Sequence, residues 1–400
     1  MSNSNNHLTL AVAGSRKTQG IVDNCEAAPH GTKILVLTFT TANQAQIVSR
    51  LRSVMGDTSE VEVLGWFTFL LRHWARPFIP YMFLGKHVEG FNYEGRPTQY
   101  ASGYTRYFDS SGAAYGCELA KLATEIEDVS EGALMHRLEC MYDRIYVDEV
   151  QDLSGHDWEI IDKLLDSKIE IHMVGDIRQA IISTNPRTPK NKQFRRANIL
   201  PWFQQRERAG RLKITQNHET WRCHPDVAAF ADKIFGPEWE FPATISLNTT
   251  TSDHDGMFIV APADVDAYVA RFKPLCLRIS RASGKGYDLD FMNFGVSKGL
   301  TRERILIVPT GPIKAFMKTG KTLEDGQAAP FYVAVTRAQQ SVAIVYSGKD
   351  SHLLPHWRHH NSLMPKLAVT PRIGPQEALP FADFDWTTGT HRTEPDISTR

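Results

Sequence analysis

Two adjacent acids are the strongest chemical signal in the chain. They belong to RIYVDEVQD, residues 144–152, in which a strand-like run leads directly into Asp148 and Glu149. In an open α/β sheet, ligands bind at the carboxyl ends of the strands. One carboxylate can hold a divalent cation there while its neighbour polarises an attacking water. A pair of solvated acids is the plain alternative, and Gln151 and Asp152 directly behind the pair argue against it.

A second signal lies at residues 11–20, AVAGSRKTQG, which follow an apolar run. A phosphate-binding loop of the pattern G-x-x-x-x-G-K-[ST] uses glycines so that backbone N–H groups can close around phosphates. Lys17 and Thr18 fit this pattern, and Gly14 supplies one flexible point. Ala11 and Arg16, however, occupy the positions of the two defining glycines. A glycine–serine turn before a basic helix start would look the same, so the loop alone leaves both interpretations open.

Two later segments place polar groups where they could contact a phosphate. In VGDIRQAI, residues 174–181, an apolar run ends close to Gln179, an uncharged donor and acceptor that could sense a terminal phosphate. In YVAVTRAQ, residues 332–339, Arg337 lies on an apolar helix that we expect to be buried. A buried guanidinium needs an anion. That anion is either an acid of the same domain or a phosphate across a domain cleft.

Further basic and flexible residues stand beside predicted elements. Arg222 comes just before a helix in TWRCHPDV, residues 220–227. Lys298 and Gly299 lie in a turn that leads into a strand in SKGLTRERILIVP, residues 297–309.

Short apolar runs alternate with amphipathic stretches, and this rhythm predicts the elements that would position these residues. The apolar runs are rich in β-branched residues, which is typical of strands buried on both faces of a parallel sheet. Helical patterns between them, such as residues 42–55 and 158–166, complete a doubly wound α/β layer. The predicted strands are LTLAVA (8–13), KILVLTF (33–39), VEVLG (61–65), RIYVDE (144–149), IEIHMVGD (169–176), MFIVAP (257–262), RILIVP (304–309) and SVAIVY (341–346).

We predict an α/β protein built from two such layers. The first lobe covers residues 1–213, and a stretch rich in glycine, proline and aromatic residues forms a small insertion in it at about 77–140. The second, smaller lobe covers residues 214–350. From 351 to 400 the chain is polar and has little periodicity, so we expect a loosely packed tail.

Composition restricts the class of protein. Of the 400 residues, 42% are hydrophobic and 22% charged, which is ordinary for a globular protein in water. Lys+Arg and Asp+Glu both total 45, so evidence for a polyanionic partner must be local. The five cysteines form no C-x-x-C pair, which argues against a zinc site and suits the reducing cytoplasm. No apolar run approaches the roughly 18 residues of a membrane span, so we expect no membrane partner.

In order along the chain, these segments resemble the motifs of UvrD/Rep-type superfamily 1 helicases. The loop at 11–18 resembles motif I, LTFTTANQAQIVSRL resembles the T-F-T-x-x-A segment, and DEVQD matches D-E-x-Q-D. VGDIRQAI, TWRCHPDV, SKGL and YVAVTRA are similar to V-G-D-x-x-Q-x-I, Y-R-S/C-x-P, S-K-G-L-E and Y-V-A-x-T-R-A. The resemblance runs from about residue 8 to 346. It implies two RecA-like P-loop NTPase lobes with parallel sheets and ATP bound between them.

The resemblance also assigns roles by position. A base, a γ-phosphate sensor and two charge-neutralising arginines would carry catalysis: Glu149, Gln179, Arg222 and Arg337. ATP would contact the phosphate loop and the S-K-G turn: Ala13, Gly14, Ser15, Arg16, Lys17, Thr18, Lys298 and Gly299. Mg2+ would be held by Thr18 and Asp148. Arg16 departs from the family's glycine, and it can function there if its dihedrals stay allowed and its side chain points outward.

The neutral net charge hides one basic stretch. Residues 178–213 contain ten Lys/Arg and a single acid, Glu207, with aromatic residues between them. Positive charge follows a phosphate backbone, and aromatic faces stack on bases at roughly 1–3 kcal/mol each. A solvated linker between the lobes is the alternative. Together with the resemblance, which implies DNA across the tops of both lobes, the stretch predicts a set of nucleic-acid contacts: Phe39, Thr40, Thr68, Arg195, Arg196 and Trp202.

The sequence therefore predicts an ATP-dependent DNA helicase or translocase that uses ATP and Mg2+. We expect a cytoplasmic protein of DNA replication or repair, monomeric in the absence of DNA, acting on single-stranded or partly duplex DNA. An RNA or RNA–DNA helicase stays open, because base stacking does not distinguish sugars. So does a nucleotide-gated nucleic-acid-binding module without productive hydrolysis, which Arg16 favours and the intact DEVQD segment opposes.

Overall fold

The apolar runs form two separate six-stranded sheets in which every strand pair is parallel. The computed structural model describes residues 5–57, 59–348, 354–357, 384–385 and 390–391. The strands up to residue 357 are β1 (His7–Ala11), β2 (Ile34–Thr38), β3 (Val61–Gly65), β4 (Gly90–Asn92), β5 (Ala113–Tyr115), β6 (Arg144–Val147), β7 (Glu170–Gly175), β8 (Lys213–Asn217), β9 (Glu219–Thr220), β10 (Ile245–Ser246), β11 (Gly256–Val260), β12 (Leu275–Arg278), β13 (Phe291–Asn293), β14 (Arg302–Val308), β15 (Ala338–Val345) and β16 (His356–Trp357).

Helices connect these strands, as the predicted alternation requires. They are α1 (Lys17–Glu26), α2 (Thr41–Met55), α3 (Trp66–Phe69), α4 (Arg76–Met82), α5 (Tyr104–Tyr107), α6 (Gly116–Val129), α7 (Ala133–Met141), α8 (Asp157–Leu165), α9 (Leu200–Arg208), α10 (Pro225–Asp232), α11 (Val265–Phe272), α12 (Gly311–Thr319) and α13 (Asp325–Val335). The predicted α/β class with two parallel sheets is confirmed.

The first sheet has the strand order β3-β2-β6-β7-β1-β8. Because β6, β7 and β1 are neighbours and parallel, the segments that follow them lie at one edge of the sheet. That edge receives the phosphate loop after β1, the acids after β6 and Asp176 after β7. We call the part of the chain built on this sheet the first lobe. Its last strand, Lys213–Asn217, pairs with β1 and continues a few residues beyond the lobe boundary predicted at 213.

Between β3 and β6 lie five α-helices, a π-helical turn (Leu70–Ala75) and the short parallel pair β4–β5. This is the region of the predicted insertion at about 77–140. Leu119, Leu122 and Ile126 of α6 are buried in the same hydrophobic cluster as Leu35 and Leu37 of β2. The helical part of the insertion therefore extends the core of the first lobe.

The second sheet has the order β13-β12-β14-β15-β11-β16, and we call the chain built on it, from residue 219 onward, the second lobe. Its core includes Ile305 and Ile307 of β14 and Ile344 of β15, packed against Phe331 of α13. Helix α13 ends at Val335 and β15 begins at Ala338. Arg337 thus lies in the turn after the helix, not on it as predicted, and the turn points it back at the first lobe.

Most of the predicted tail, 351–400, lies outside the described residues. Within it, Phe384–Asp385 and Thr390–His391 form an antiparallel pair of short strands. In the described parts of the chain, no helix has both the length and the apolar character needed to cross a membrane.

Candidate active site

The loop after β1 turns on Gly14, which has a φ of 76°. A Cβ at this position would lie 2.5 Å from the Cβ of Arg222 and 2.7 Å from Oγ1 of Thr220. Glycine is therefore required here both by its dihedral and by the close approach of the second lobe. The loop then enters α1 at Lys17, which places the helix N-terminus, with its free N–H groups, beside the loop.

Arg16 adopts a left-handed conformation, with φ 62° and ψ 30°. This conformation costs a residue with a Cβ about 1–2 kcal/mol, which is why glycine suits the position. The guanidinium carbon of Arg16 lies 3.9 Å from the centroid of the Trp221 ring. A cation–π contact of this kind stabilises by about 0.5–2 kcal/mol and so offsets much of the backbone cost.

Thr18 and Asp148 meet behind the loop. The Thr18 hydroxyl donates to Asp148 Oδ2 at 3.1 Å, and Asp148 is almost fully buried at the end of β6. Burial, together with the neighbouring Glu149, raises the pKa of Asp148 above its ordinary value. A carboxylate and a hydroxyl side by side are hard oxygen ligands of the kind that Mg2+ prefers, so the donor set fits this ion.

Glu149 has a positive φ of 54° and interacts electrostatically with two cations, Lys298 and Lys17. Its Oε2 lies 3.3 Å from Nζ of Lys298 and also accepts a hydrogen bond from Gln151. Burial raises the pKa of Glu149, but Lys298 and Lys17 outweigh this effect and lower it below its ordinary value. The carboxylate is therefore ionised at neutral pH, as the role of a base requires.

Gln179 joins the two lobes at the site. Its amide nitrogen donates to Asp176 Oδ2 at 2.8 Å, and its Oε1 accepts from Nη2 of Arg337 at 3.1 Å. The Tyr332 hydroxyl of the second lobe donates to the same carboxylate at 3.2 Å. The predicted phosphate sensor is thus held in a network that spans both lobes.

Arg337 is 1% exposed, and among the described residues it has no carboxylate partner. It donates to the backbone carbonyls of Val333 and Leu300, to Gln179 and to the Thr336 hydroxyl. Burial, with repulsion from Arg222, lowers the pKa of Arg337 to about 9. The alternative of an ion pair within the domain is therefore wrong, and the guanidinium is a buried cation with only neutral acceptors.

A cleft of about 360 Å3 between the lobes collects most of the predicted site. The predicted residues that line it are Gly14, Ser15, Arg16, Lys17, Thr18, Glu149, Gln179, Arg222, Gly299 and Arg337. Arg222 also donates to the Thr336 carbonyl at 3.2 Å. Ser15 is buried, and its hydroxyl has no hydrogen-bond partner among the described residues. The orphan hydroxyl and the unpaired Arg337 both fit an anionic ligand.

Two predicted ATP contacts lie elsewhere. Lys298 pairs with Asp152 at 2.7 Å and does not line the cleft, because the acid of the first lobe draws its ammonium aside. Ala13 is buried below the loop, where its N–H donates to the Tyr332 hydroxyl at 3.4 Å. Sequence reasoning also missed seven lining residues: Gln19, Asn43, Gln46, Arg50, Trp221, Thr301 and Gln339. Three of these, Asn43, Gln46 and Arg50, form a polar stripe at helical spacing on α2, and this spacing is visible in the sequence.

The prediction that Trp202 contacts nucleic acid is wrong. Trp202 is 3% exposed and packs in the core, with its ring 5.2 Å from that of Trp158 and 5.3 Å from that of Phe203. The amphipathic helix α9 turns it inward, and Arg206 covers it at 3.7 Å.

Much of the basic stretch at 178–213 is neutralised by acids that are distant in sequence. Arg206 and Arg211 both pair with Asp162 at 2.8 Å, and Arg178 pairs with Asp232 at 3.0 Å. These arginines therefore tie the first lobe together and join it to the second.

The other predicted nucleic-acid residues have separate environments. The Thr40 hydroxyl caps α2 by accepting from the Asn43 N–H at 3.1 Å, and Arg195 donates to the Thr188 carbonyl. Thr68 and Arg196 are exposed. Phe39 is half-buried at the carboxyl end of β2 and belongs to an aromatic cluster, defined by Phe39, Phe67, Phe91 and Tyr93.

A basic cleft of about 370 Å3 separates the insertion from the loop after β7. Its charged lining residues are Arg96, Arg106, Lys121, Arg187, Lys190 and the single acid Glu118. Arg106 pairs with Glu118 at 3.0 Å. Arg96 and Arg187 make no ion pair with any described residue, so the cleft carries uncompensated positive charge.

Residues 86–191 match the model of the UvrD/REP helicase N-terminal domain. The matched segment includes Asp148, Glu149 and Gln179, so the predicted resemblance to UvrD/Rep-type helicases is confirmed. No curated protein matches the chain.

Among solved structures, the chain is similar to arterivirus nonstructural protein 10, a helicase, at 15% identity over 86% of this chain and 61% of that one, with a TM-score of 0.45. A complex of arterivirus nonstructural protein 10 with DNA gives 13% identity, 86% and 62% coverage and a TM-score of 0.46. The PRRSV helicase is 12% identical over 87% of this chain and 54% of that one, with a TM-score of 0.42. This chain thus spans between one half and two thirds of the length of these helicases.

Proposed function

We propose that the chain is an ATP-dependent DNA helicase or translocase that couples ATP hydrolysis between its lobes to movement on single-stranded DNA. One observation carries the proposal: Arg337 is a buried cation that pairs with no acid of the described residues, and it lines the cleft opposite the phosphate loop. A polyphosphate held by that loop supplies the missing anion. Arg337 then has a reason to be buried that packing does not provide.

The site residues divide the chemistry of phosphoryl transfer between them. Lys17 and the loop N–H groups bind the phosphates, and Ser15 donates its free hydroxyl there. Thr18 and Asp148 would hold Mg2+, which would neutralise charge on the phosphate oxygens. Glu149, already ionised, accepts a proton from the attacking water, and Gln179 orients the terminal phosphate. These roles are positional and electrostatic, which is how phosphoryl transfer is catalysed.

The two arginines contribute from the second lobe. Arg222 and Arg337 bring positive charge to the oxygens on which negative charge develops, and both belong to the lobe opposite the loop. Binding of the nucleotide therefore adds contacts between the lobes, and loss of the γ-phosphate removes them. This dependence of lobe contacts on the bound phosphate is the coupling that a motor needs.

For the strand itself, we propose that the aromatic cluster and the basic cleft act together. Tyr93 is 69% exposed and, with Phe39, offers faces on which bases can stack. Arg96 and Arg187 supply unpaired charge for the phosphate backbone. Thr40, Thr68, Arg195 and Arg196 remain proposed contacts. Because stacking and charge do not read sequence, binding should weaken steeply with salt and vary little with sequence.

The test is the steady-state rate of ATP hydrolysis, measured with and without single-stranded DNA. We expect clear stimulation by DNA in the wild type, and we expect Glu149→Gln to bind ATP with Mg2+ but not turn it over. Glu131→Gln is a matched control, because Glu131 is an exposed glutamate that also has a positive φ. Normal turnover by Glu149→Gln would remove Glu149 as the base. Binding of ATP without any hydrolysis in the wild type would favour the passive nucleotide-gated module, and stimulation by RNA alone would favour the RNA helicase.

A further inference from the structure

The phosphate loop is held from outside by three consecutive residues of the second lobe, Thr220–Arg222, which we call the loop clamp. The Thr220 hydroxyl donates to the Ala13 carbonyl at 2.7 Å. The Trp221 N–H donates to the Gly14 carbonyl at 3.0 Å. The Cβ of Arg222 lies directly against Gly14, with no space for a side chain between them. Two loop carbonyls and the loop glycine are therefore fixed by one short segment.

The fourth contact of the clamp is made by side chains. Trp221 is 45% exposed, and the guanidinium carbon of Arg16 lies 3.9 Å from the centroid of its indole ring. Arg16 is the last residue before α1, so its backbone conformation decides where the first N–H groups of that helix point. These are the groups that would surround a phosphate. A residue with a Cβ resists the left-handed conformation at this position, and the stack on Trp221 holds it there.

We propose that Trp221 is a positioning residue for the phosphate loop, acting through Arg16. The stack on Trp221 replaces the conformational freedom that a glycine at residue 16 would supply. This inference rests on the proposed nucleotide-binding function, which it deepens. Its consequence is that Trp221 supports binding of the phosphates even when the ligand has no base.

The competing explanation is that the half-exposed indole simply stacks on the base of the nucleotide. Both explanations predict weaker ATP binding in Trp221→Ala, so ATP alone does not separate them. Inorganic tripolyphosphate does, because it presents the phosphates without a base or a ribose. A double-mutant cycle with Arg16→Gly adds a second criterion, since a contact that acts through Arg16 should have no effect once Arg16 is absent.

The experiment is calorimetric titration of tripolyphosphate and of ATP, each with Mg2+, into four forms: wild type, Trp221→Ala, Arg16→Gly and the double variant. We expect Trp221→Ala to weaken tripolyphosphate binding about fivefold in the wild-type background, which corresponds to about 1 kcal/mol. In the Arg16→Gly background the same substitution should change binding by less than about twofold. Trp221→Phe should lie between wild type and Trp221→Ala, because phenylalanine is the weaker cation–π partner.

Lys273→Gly is the matched control for Arg16→Gly. Lys273 is an exposed cation with a φ of 47° at the end of α11, far along the chain from the loop. It should leave the affinity for both ligands unchanged. Circular dichroism melting of each variant reports whether it is folded, and Trp221→Phe keeps the test informative if Trp221→Ala is not.

The outcomes are distinct. Unchanged tripolyphosphate affinity in Trp221→Ala, with weaker ATP binding, would overturn the proposal and make Trp221 a base contact. An equal loss in both backgrounds would also overturn it, because Arg16 would not be the intermediary. If the wild type binds neither ligand, the proposed nucleotide function itself fails and the clamp has nothing to position.

Discussion

Replacing Arg337 by methionine separates a catalytic cation from a structural one. Burial and repulsion from Arg222 lower the pKa of Arg337 from its ordinary value of 12.5 to about 9, which corresponds to a net cost of roughly 5 kcal/mol for keeping the guanidinium charged in the folded protein. Its four hydrogen bonds to neutral acceptors return about 1 kcal/mol each, or about 4 kcal/mol. The two contributions nearly cancel, so we expect the free energy of unfolding of Arg337→Met to lie within about 2 kcal/mol of wild type.

Arg178 provides the matched comparison for that variant. It is equally buried but pairs with Asp176 at 3.5 Å and Asp232 at 3.0 Å. Arg178→Met leaves these acids without their cation and should destabilise the protein by about 3–5 kcal/mol.

Two assays then decide the role of Arg337. Urea unfolding should give a clearly larger free energy of unfolding for Arg337→Met than for Arg178→Met. ATP turnover of Arg337→Met should fall at least about a thousandfold relative to wild type. Tripolyphosphate should raise the melting temperature of the wild type and have much less effect on Arg337→Met. A catalytic role for Arg337 is refuted if Arg337→Met is as unstable as Arg178→Met, or if it hydrolyses ATP at the wild-type rate.

Three further predictions follow from individual contacts. Lys17→Ala should abolish binding of ATP in a calorimetric titration, and retained affinity would contradict the interpretation of the loop. Trp202→Ala should lower the free energy of unfolding by about 3–5 kcal/mol and leave the salt dependence of DNA binding unchanged, because Trp202 is a core residue. Burial lowers the pKa of His254 to about 4, below its ordinary 6.5, so this neutral imidazole contributes stability above pH 6.5 that is lost as the pH falls toward 4. His254→Phe should reduce that loss by up to about 3 kcal/mol in urea unfolding at pH 7 and pH 4.5, and an unchanged pH dependence would exclude His254.

The predicted sheet elements were reliable where a strand is apolar throughout. The run at residues 33–39 became β2, and the run at 144–149 became β6, each shortened by one or two residues at its ends. Strands with polar or very short sequences were missed. β8 reads KITQN and pairs only with β1 at the edge of the sheet, so burial does not demand an apolar pattern there. The strand β13 has only three residues, too few for any periodicity.

The candidate site was predictable to the extent that its chemistry is contiguous in sequence. Asp148 and Glu149 are adjacent at a strand end, and Lys17 and Thr18 are adjacent at the start of α1. Both pairs could therefore be recognised as candidates in the sequence, although the loop itself left two interpretations open and the family resemblance supplied the roles. Lys298 was predicted to line the ATP site, but it pairs with Asp152, which lies 146 residues away in the sequence. Neither segment contains a pattern that indicates this contact. The positive charge of residues 178–213 was overestimated for the same reason. Part of this positive charge is neutralised by acids of α8 and α10, which pair with Arg206, Arg211 and Arg178.

Four departures from ordinary local rules meet in the cleft between the lobes. In the part of the chain that the structure describes, Arg337 is a buried cation that forms no ion pair, and the buried Ser15 hydroxyl has no hydrogen-bond partner. Arg16 and Glu149 both adopt a positive φ that disfavours any residue with a Cβ. Each departure costs of order 1–3 kcal/mol or more, and such costs are held in folded proteins mainly at functional sites. An anion with several oxygens would satisfy Arg337 and Ser15 together, while a working base at residue 149 would account for its strained position. A single ligand of the nucleoside-triphosphate class, as proposed above, would therefore account for all four features.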